Sequence, residues 1–492
     1  MNRILITMVF LSIASCALFA PQEPVIELLN KHKIVTDSGT VQGQFAEYNA
    51  DSSPASTVVN WLDIPYAQPP VGDLRWRAPR PLQAADAVIE TQGGIVCVQP
   101  ANDYGGATAI NGESVVGLED CLYLDVSAPK DFAESNYPVM FWIHGGGNTT
   151  GSKNYYDFTK LVESQKVVVV TINYRLGALG WFTHPAIQNM QAGVVGLEQL
   201  DGASNFGTLD IIQALQWVQD NIGQFGGDAN NVTIFGESAG GHNVYTMLAS
   251  PLAKGLFHKA IAQSGYTISN SLENAYNDKA ANSYVTKGSW QVVEDLLVKQ
   301  QGSSQQSYSI EQLHRLLKNV DGREFIGLYN RGDKIDYIPL TTADGIVIPK
   351  QGLLATLADP QYAKDIPVIS GANKDEVTLW LGLHRYFIDV GYPLTRLLPP
   401  RMTIKDPQLY SFWVRVRSQA WKARGVDEPL DALELAGYKN LYAYRFDWDD
   451  QVKSFFADFP NIIGAAHGTD ISFVTGDFKY GPITSYIYPE GA

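Results

Sequence analysis

The sequence predicts an α/β fold: a large, mostly parallel, twisted central sheet flanked by helices. Three features of the chain lead to this prediction. The run Val167–Ile172 is apolar and β-branched, as is typical of a strand buried on both faces. Thr208–Ile222 carries apolar residues at helical spacing, which predicts an amphipathic helix. Val232–Gly240 predicts a strand that turns sharply into a helix, the unit from which parallel sheets are built.

The turn inside that unit has the pattern Gly-x-Ser-x-Gly, with Ser238 at its centre. An apolar run, Val232–Phe235, precedes it, and the helix predicted after it ends at Ser250–Pro251. Such a turn lifts a serine hydroxyl above the sheet, where the first N–H groups of the helix favour negative charge. We therefore interpret Ser238 as a nucleophile in the elbow of an α/β-hydrolase fold; the alternative is an ordinary surface serine.

A second glycine turn is predicted to supply the backbone N–H donors that a nucleophilic serine needs. The apolar run Pro138–Ile143 predicts a strand, and it leads directly into His144–Gly147. Glycines after this strand leave backbone N–H groups free to stabilise a developing oxyanion. His144 precedes the serine in the chain, so we interpret it as a structural residue of the loop.

The order of residues along the chain narrows the choice of acid and base, because in this fold the acid and then the histidine follow the serine. His242 lies on the same predicted helix as Ser238, at an offset that prevents catalytic contact. Of the later histidines, His384 and His467 leave enough chain for further strands. His467 follows the predicted strand Leu441–Phe446 and lies between small residues, which is typical of an exposed loop.

The acid is expected at the carboxyl end of a late strand, where open α/β sheets collect functional groups. Ile366–Ser370 predicts such a strand, and the turn after it presents both Asp375 and Glu376. His384 is too close to these two residues to come from a separate loop, which favours His467 as the base. The residues alone leave the choice between Asp375 and Glu376 open.

The chain resembles the type-B carboxylesterases, the family that also contains the cholinesterases and some lipases. The similarity runs almost from end to end, and several of the shared motifs are specific to the family. They are Ile64–Arg77, Glu119–Asp125, Trp142–Gly147, Asn173–Gly177, Ala214–Val218, Asn221–Ile222, Phe225–Asp228, Gly236–Gly240, Ala262–Gly265 and the segments around Glu376 and His467.

The resemblance implies a catalytic triad in which Ser238 is the nucleophile, Glu376 the acid and His467 the base. It implies a carboxylic-ester hydrolase that forms an acyl-enzyme, with a lipase for long acyl chains as the alternative. A third alternative is a non-catalytic binding protein on the same fold. Such proteins lose a triad member, whereas all three residues are present here.

The resemblance also implies the groups around the triad. The oxyanion N–H groups belong by position to Gly146, Gly147 and Ala239. Glu237 and Ser264 occupy positions where the family keeps polar side chains close to the triad.

Cysteine usage favours an oxidising compartment. The chain has three cysteines, one near its start and two in its body, Cys97 and Cys121, which predict one disulfide. In the family, the loop closed by the first disulfide carries a choline-binding tryptophan. The loop here has none, and Tyr104 is its only aromatic residue, so we expect uncharged short-to-medium acyl esters rather than choline esters.

The start of the chain predicts export. An arginine, a short apolar run and small residues make 1–20 a signal peptide, and Cys16 resembles the acylated cysteine of a lipoprotein. The product would be secreted, periplasmic or lipid-anchored to the cell envelope, and Cys16 would provide its only membrane attachment. Residues 21–492 are predicted as one α/β-hydrolase domain, with long insertions at 270–365 and 380–440.

The amino-acid composition of the chain limits the classes of molecule that the protein is expected to bind. The net charge of −15 argues against binding to nucleic acid, and 45% hydrophobic residues suffice for one large core. No metal-binding or nucleotide-binding pattern occurs in the sequence, so no cofactor is expected. The expected partner is a small ester, and the sequence does not indicate an oligomeric state.

Overall fold

The structure is a computed structural model, and its centre is one extended β-sheet. The predicted signal peptide and Tyr104 lie outside the described residues. The residues that the structure describes are 32–46, 57–84, 86–91, 93–103, 105–109, 111–189, 197–276, 288–302, 308–331, 334–335, 341–392, 400–479 and 484–488.

Nine strands of the described chain form the central sheet, in the spatial order β9-β8-β7-β6-β4-β5-β3-β2-β1. The strands are β1 Gln44–Phe45, β2 Val58–Pro65, β3 Tyr123–Pro129, β4 Tyr137–Ile143, β5 Val168–Ile172, β6 Gly227–Glu237, β7 Lys259–Gln263, β8 Val368–Asn373 and β9 Leu441–Phe446.

The sheet is mostly parallel, as predicted. Strands β4 to β9 are parallel to one another, whereas β3, β2 and β1 continue the sheet beyond β5 in antiparallel pairing. Because parallel strands end at one edge, the turns after β4, β6, β8 and β9 meet at the same end of the sheet. These are the turns in which the sequence placed its candidate catalytic residues.

Helices flank the sheet and fill the connections between strands. They are α1 Thr159–Gln165, α2 Gly177–Gly180, α3 Pro185–Gln188, α4 Glu198–Asp201, α5 Phe206–Asn221, α6 Ala239–Ala249, α7 Leu272–Tyr276, α8 Ser289–Gln301, α9 Ile310–Asn319, α10 Gly322–Gly327, α11 Leu353–Leu357, α12 Thr378–Leu381, α13 Pro407–Lys422, α14 Glu428–Leu435, α15 Phe459–Ile462, α16 Ile471–Thr475 and α17 Thr484–Ile487. A π-helical turn, Ala423–Asp427, joins α13 to α14.

Short elements complete the described chain. The 3-10 turns are Gly72–Leu74, Phe132–Glu134, Ile222–Phe225, Pro251–Ala253 and Pro360–Tyr362. The small strand pairs are Lys33–Thr36 with Gly39–Gln42 and Val88–Ile89, Gln99–Pro100 with Val115–Val116, Asn270–Ser271 with Thr342–Ala343, Asn330–Arg331 with Lys334–Ile335, and Ile388–Gly391 with Arg401–Ile404.

The core forms where the predicted apolar faces meet. All residues of β5 are buried, as its β-branched sequence predicted. Helix α5 begins at Phe206 and ends at Asn221, close to the predicted limits, and its predicted stripe of Ile211, Leu215 and Val218 is fully buried. The predicted disulfide between Cys97 and Cys121 is present.

The elbow packs so tightly that only glycine fits there. A Cβ atom on Gly240 would lie 2.0 Å from the carbonyl oxygen of Ile143, at the end of β4. A Cβ atom on Gly236 would lie 2.6 Å from both that oxygen and the carbonyl carbon of Gly240. These glycines therefore let helix α6 and strand β4 approach closely enough to bring their two turns together.

This packing predicts that Gly240→Ala destabilises the fold by at least about 2 kcal/mol, because buried backbone atoms cannot move away from the new methyl group. The midpoint of thermal unfolding should fall by several degrees. Gly223→Ala is the matched control, since no atom lies within 4 Å of its Cβ position, and it should leave the midpoint nearly unchanged. Equal midpoints for the two variants would contradict the packing argument.

Candidate active site

Ser238 lies at the strained turn between β6 and α6. Its backbone has φ 60° and ψ −118°, outside the regions that L-residues favour. Its N–H donates to the carbonyl of Gln263 at 2.9 Å, which ties the turn to the end of the neighbouring strand β7. The side chain remains partly exposed, although the residues on both sides of it are buried. The turn thus holds a serine hydroxyl at the surface of a rigid frame.

Glu376 and His467 form a short hydrogen bond next to the elbow. Nδ1 of His467 lies 2.6 Å from Oε2 of Glu376, a residue with no exposed surface. The other carboxylate oxygen, Oε1, accepts hydrogen bonds from Ser264 Oγ at 2.6 Å and from Asn373 N–H at 2.7 Å. Because a buried charge needs such donors, this carboxylate is held in one position. It can therefore orient the imidazole.

The side chain of Asp375 is directed at the backbone of the loop and not at the ring of His467. Its Oδ2 accepts the backbone N–H of Ala465 at 3.2 Å, and its own N–H donates to the Ala465 carbonyl at 3.0 Å. A Cβ atom on Gly464 would lie 2.6 Å from that carboxylate oxygen. Asp375 thus holds the loop that carries His467 by hydrogen bonds, while the adjacent Glu376 contacts the ring of His467.

His467 is buried, so the sequence prediction of an exposed loop histidine is wrong. Only 7% of the residue is exposed. Small neighbours do not expose its ring, because the rings of Trp380 and Trp421 pack against it with centroids 5.0 and 4.9 Å away. Both tryptophans come from the 380–440 region, whose packing the sequence could not predict.

The second ring nitrogen of His467 lies next to another carboxylate. Nε2 is 3.2 Å from Oε1 of Glu237, and both side chains are almost fully buried. Among the described residues, no hydrogen bond joins this nitrogen to Ser238 Oγ. In free enzymes, catalytic hydrogen bonds are often long or poorly aligned and tighten only when substrate is bound. The imidazole here lies between two carboxylates.

The cluster shifts the pKa values of its members. Burial raises the pKa of Glu237, and the nearby His467 offsets part of this increase. Burial alone would lower the pKa of His467, but the carboxylates of Glu237 and Glu376 outweigh it, so the pKa is raised. Perturbed groups of this kind, gathered around one imidazole, are typical of catalytic sites.

Asp470 is a further buried carboxyl that sequence reasoning missed. Its oxygens accept from Gln263 Nε2 at 2.8 Å, Asn373 Nδ2 at 3.1 Å and Tyr444 OH at 3.2 Å. Burial raises its pKa. Its position three residues after His467, on the same short loop, is the signal that could have revealed it.

The glycine turn after β4 offers free backbone donors beside the elbow. Gly146 and Gly147 have φ 91° and 65° and are exposed, and a Cβ atom on Gly146 would lie 2.2 Å from the Thr150 carbonyl oxygen. In the described chain, no hydrogen bond uses the N–H groups of Gly146, Gly147 or Ala239. These are the donors predicted from the sequence to surround an oxyanion.

His144 anchors that turn from within. Its Nδ1 lies 2.9 Å from the Gly145 carbonyl oxygen, and its ring stacks on Tyr174 at 4.3 Å. Burial lowers its pKa to about 4, so it stays neutral. This arrangement agrees with a structural role.

No group of three or more His, Cys, Asp or Glu side chains among the described residues could hold a metal ion. No helix in those ranges combines the length and the apolarity needed to cross a bilayer.

The family follows from comparison with known proteins. A model of the carboxylesterase family matches residues 30–387. This chain belongs to the carboxylesterase family. Carboxylesterase 1D of Rattus norvegicus is 35% identical over 380 residues, which are 75% of this chain and 62% of the relative. Para-nitrobenzyl esterase of Bacillus subtilis is 42% identical over 255 residues, 51% of this chain and 47% of that protein.

Solved structures of carboxylesterases have the same fold. A PNB esterase structure matches with TM-score 0.66 and 29% identity over 91% of this chain and 84% of its own. A carboxylesterase of Geobacillus stearothermophilus matches with TM-score 0.65 and 27% identity over 94% and 86%. The fold is therefore the α/β-hydrolase fold predicted from the sequence. The matched segment spans less than two thirds of the length of the mammalian carboxylesterases.

The contact between Glu237 and His467 predicts a measurable pKa change. Glu237→Gln removes a carboxylate that favours the charged imidazole, so the pKa of His467 should fall by at least about one unit. NMR titration of histidine-labelled protein measures it. Asp449→Asn is the control, because that exposed carboxylate pairs with Lys374 and should leave the His467 pKa unchanged. An unchanged or higher pKa in Glu237→Gln would contradict the argument.

Proposed function

We propose that this protein is a serine carboxylic-ester hydrolase that acts on uncharged, short-to-medium acyl esters through an acyl-enzyme intermediate. One observation carries the proposal: a strained, partly exposed Ser238 lies beside unused backbone N–H donors, close to a buried His467–Glu376 pair. Nucleophile, base, orienting acid and oxyanion donors are the parts that acyl transfer requires.

In the first half-reaction, Ser238 Oγ attacks the ester carbonyl carbon and His467 Nε2 takes the hydroxyl proton. The N–H groups of Gly146, Gly147 and Ala239 stabilise the negative oxygen that forms. Collapse of this intermediate breaks the bond to the alcohol oxygen, which receives the proton from Nε2. The alcohol leaves, and the acyl group stays on Ser238.

In the second half-reaction, water takes the place of the alcohol. His467 accepts a proton from water, the oxygen attacks the acyl carbon, and the proton returns to Ser238 as the acid leaves. Glu376 orients the imidazole and stabilises its charged form in both steps. The hydrogen bonds that Ser264 and Asn373 give to Glu376 keep this carboxylate in place.

Family membership supports ester hydrolysis, and two alternatives are less well supported. A lipase for long acyl chains and a non-catalytic binding protein have the same fold. The intact set of catalytic residue types argues against the binding protein. Rates against esters of graded acyl length separate an esterase from a lipase. A loop from Cys97 to Cys121 without tryptophan argues against choline esters.

We also propose that the protein is exported. The disulfide between Cys97 and Cys121 is compatible with an oxidising compartment. The start of the chain supports a signal peptide over 1–20, with lipid attachment at Cys16 as one outcome and free secretion as the other. Residues 21–492 would then fold as one catalytic domain.

The role of Ser238 predicts that Ser238→Ala lowers kcat by a factor of about 10⁴ or more, because only binding and oxyanion contacts remain. Hydrolysis of a neutral butyrate ester measures the loss. Thermal unfolding should show that the variant is folded. Ser411→Ala, on the exposed side of α13, is the control and should keep full activity. A folded Ser238→Ala protein with more than about a tenth of the activity would reject the proposal.

The role of Glu376 predicts that Glu376→Gln lowers kcat by a factor of about 10³–10⁴, because an amide favours the wrong imidazole tautomer. Asp375→Asn should cost much less, since that side chain contacts backbone rather than His467. Steady-state kinetics of both folded variants measure the difference. The reverse ranking would transfer the acid role to Asp375.

A further inference from the structure

Two tryptophans form a continuous aromatic surface against His467. The rings of Trp380 and Trp421 stack with centroids 5.5 Å apart and planes 23° apart. Each ring also contacts the imidazole, at 5.0 Å for Trp380 and 4.9 Å for Trp421. The three rings are thus in mutual contact, and the imidazole is the most buried of them.

The two rings differ in how they are held. Trp421, at the end of α13, donates its Nε1–H to the Ser264 carbonyl at 3.1 Å and is partly buried. Trp380, on α12, is 48% exposed. Trp421 therefore supports Trp380 from behind, and Trp380 presents a large uncovered aromatic surface next to the imidazole. An exposed ring of this size beside the imidazole offers a large apolar contact area to a bound ester.

The proposed reaction determines what would touch this surface. As the bond to the alcohol breaks, the departing oxygen takes the proton from His467 Nε2, so the alcohol must lie against the imidazole at that moment. Trp380 is 48% exposed and its ring centroid lies 5.0 Å from that of the imidazole, so it offers an aromatic surface within reach of the rest of the alcohol. The acyl group, by contrast, is bonded to Ser238 and directed by the oxyanion donors.

We propose that Trp380, supported by Trp421, is a specificity-determining residue that binds the alcohol part of the ester and favours flat aromatic alcohols over aliphatic ones. The inference rests on the proposed ester hydrolysis. Aromatic pairs gain energy beyond the area that they bury, whereas an aliphatic ring of similar size gains only from burial. The preference appears in kcat/KM because the contact persists while the alcohol departs.

The test compares two acetates that differ only in the ring of a primary alcohol, benzyl acetate and cyclohexylmethyl acetate. The wild-type protein should favour the benzyl ester by about three- to ten-fold in kcat/KM. Trp380→Leu should bring that ratio close to one, and Trp380→Phe should keep most of it. Trp413→Leu is the matched control, because Trp413 is 40% exposed on α13 and should leave the ratio unchanged.

The ratio is insensitive to a general loss of activity, and thermal unfolding shows whether each variant is folded. A ratio that stays the same in Trp380→Leu, or falls equally in Trp413→Leu, overturns the inference. So does a wild-type enzyme that prefers 2-(trimethylammonio)ethyl acetate over both neutral esters, since the surface would then bind a cation. Equal hydrolysis of the two acetates rejects this inference alone. Folded wild-type protein that hydrolyses no ester rejects the proposed function as well.

Discussion

The buried carboxylate of Glu376 is the constraint on which the site depends. A charge with no exposed surface is stable only when donors surround it, and three donors do so here, from the end of β7, the end of β8 and the loop after β9. Ser264, Asn373 and His467 supply them. These contacts tie three turns at one edge of the sheet to one another. The position of the imidazole is thus a consequence of satisfying a buried charge.

The same loop is secured a second time by Asp375. Its carboxylate and its own N–H bind both backbone polar groups of Ala465, and Tyr410 OH donates to the Ile462 carbonyl at 2.6 Å. The two adjacent acids therefore have different roles: Asp375 holds the loop, and Glu376 holds the imidazole ring within it. This division explains why two neighbouring carboxyls follow β8, although only one touches His467.

Electrostatics at the site are dominated by carboxyl groups around a single imidazole. Glu237 and Glu376 contact the two ring nitrogens of His467, Asp470 acts on it electrostatically, and all three are buried. Such a cluster favours the charged imidazole, the form that the proposed mechanism generates in each half-reaction. Hydrogen bonds from Gln263, Asn373 and Tyr444 offset the cost of burying Asp470. The rings of Trp380 and Trp421 pack against His467 and cover part of its imidazole.

The sequence by itself determined the fold and the candidate residues. β-branched runs defined β5 and β6, an apolar stripe defined α5, and turn chemistry singled out Ser238. These features depend on local periodicity and on backbone conformations that only certain residues tolerate. The order of residues along the chain then identified Asp375 and Glu376 as candidate acids and His467 as the candidate base.

Only the tertiary structure decided between the two acids and revealed the surroundings of His467. Neither the orientation of a side chain in a turn nor its burial follows from its sequence neighbours, because both depend on which distant groups pack against it. Glu376 reaches the imidazole because Ser264, 112 residues earlier, meets its other oxygen. His467 is buried because Trp380 and Trp421 return from another part of the chain to cover it. Long-range packing of this kind is set by the folded topology, for which local sequence carries no signal.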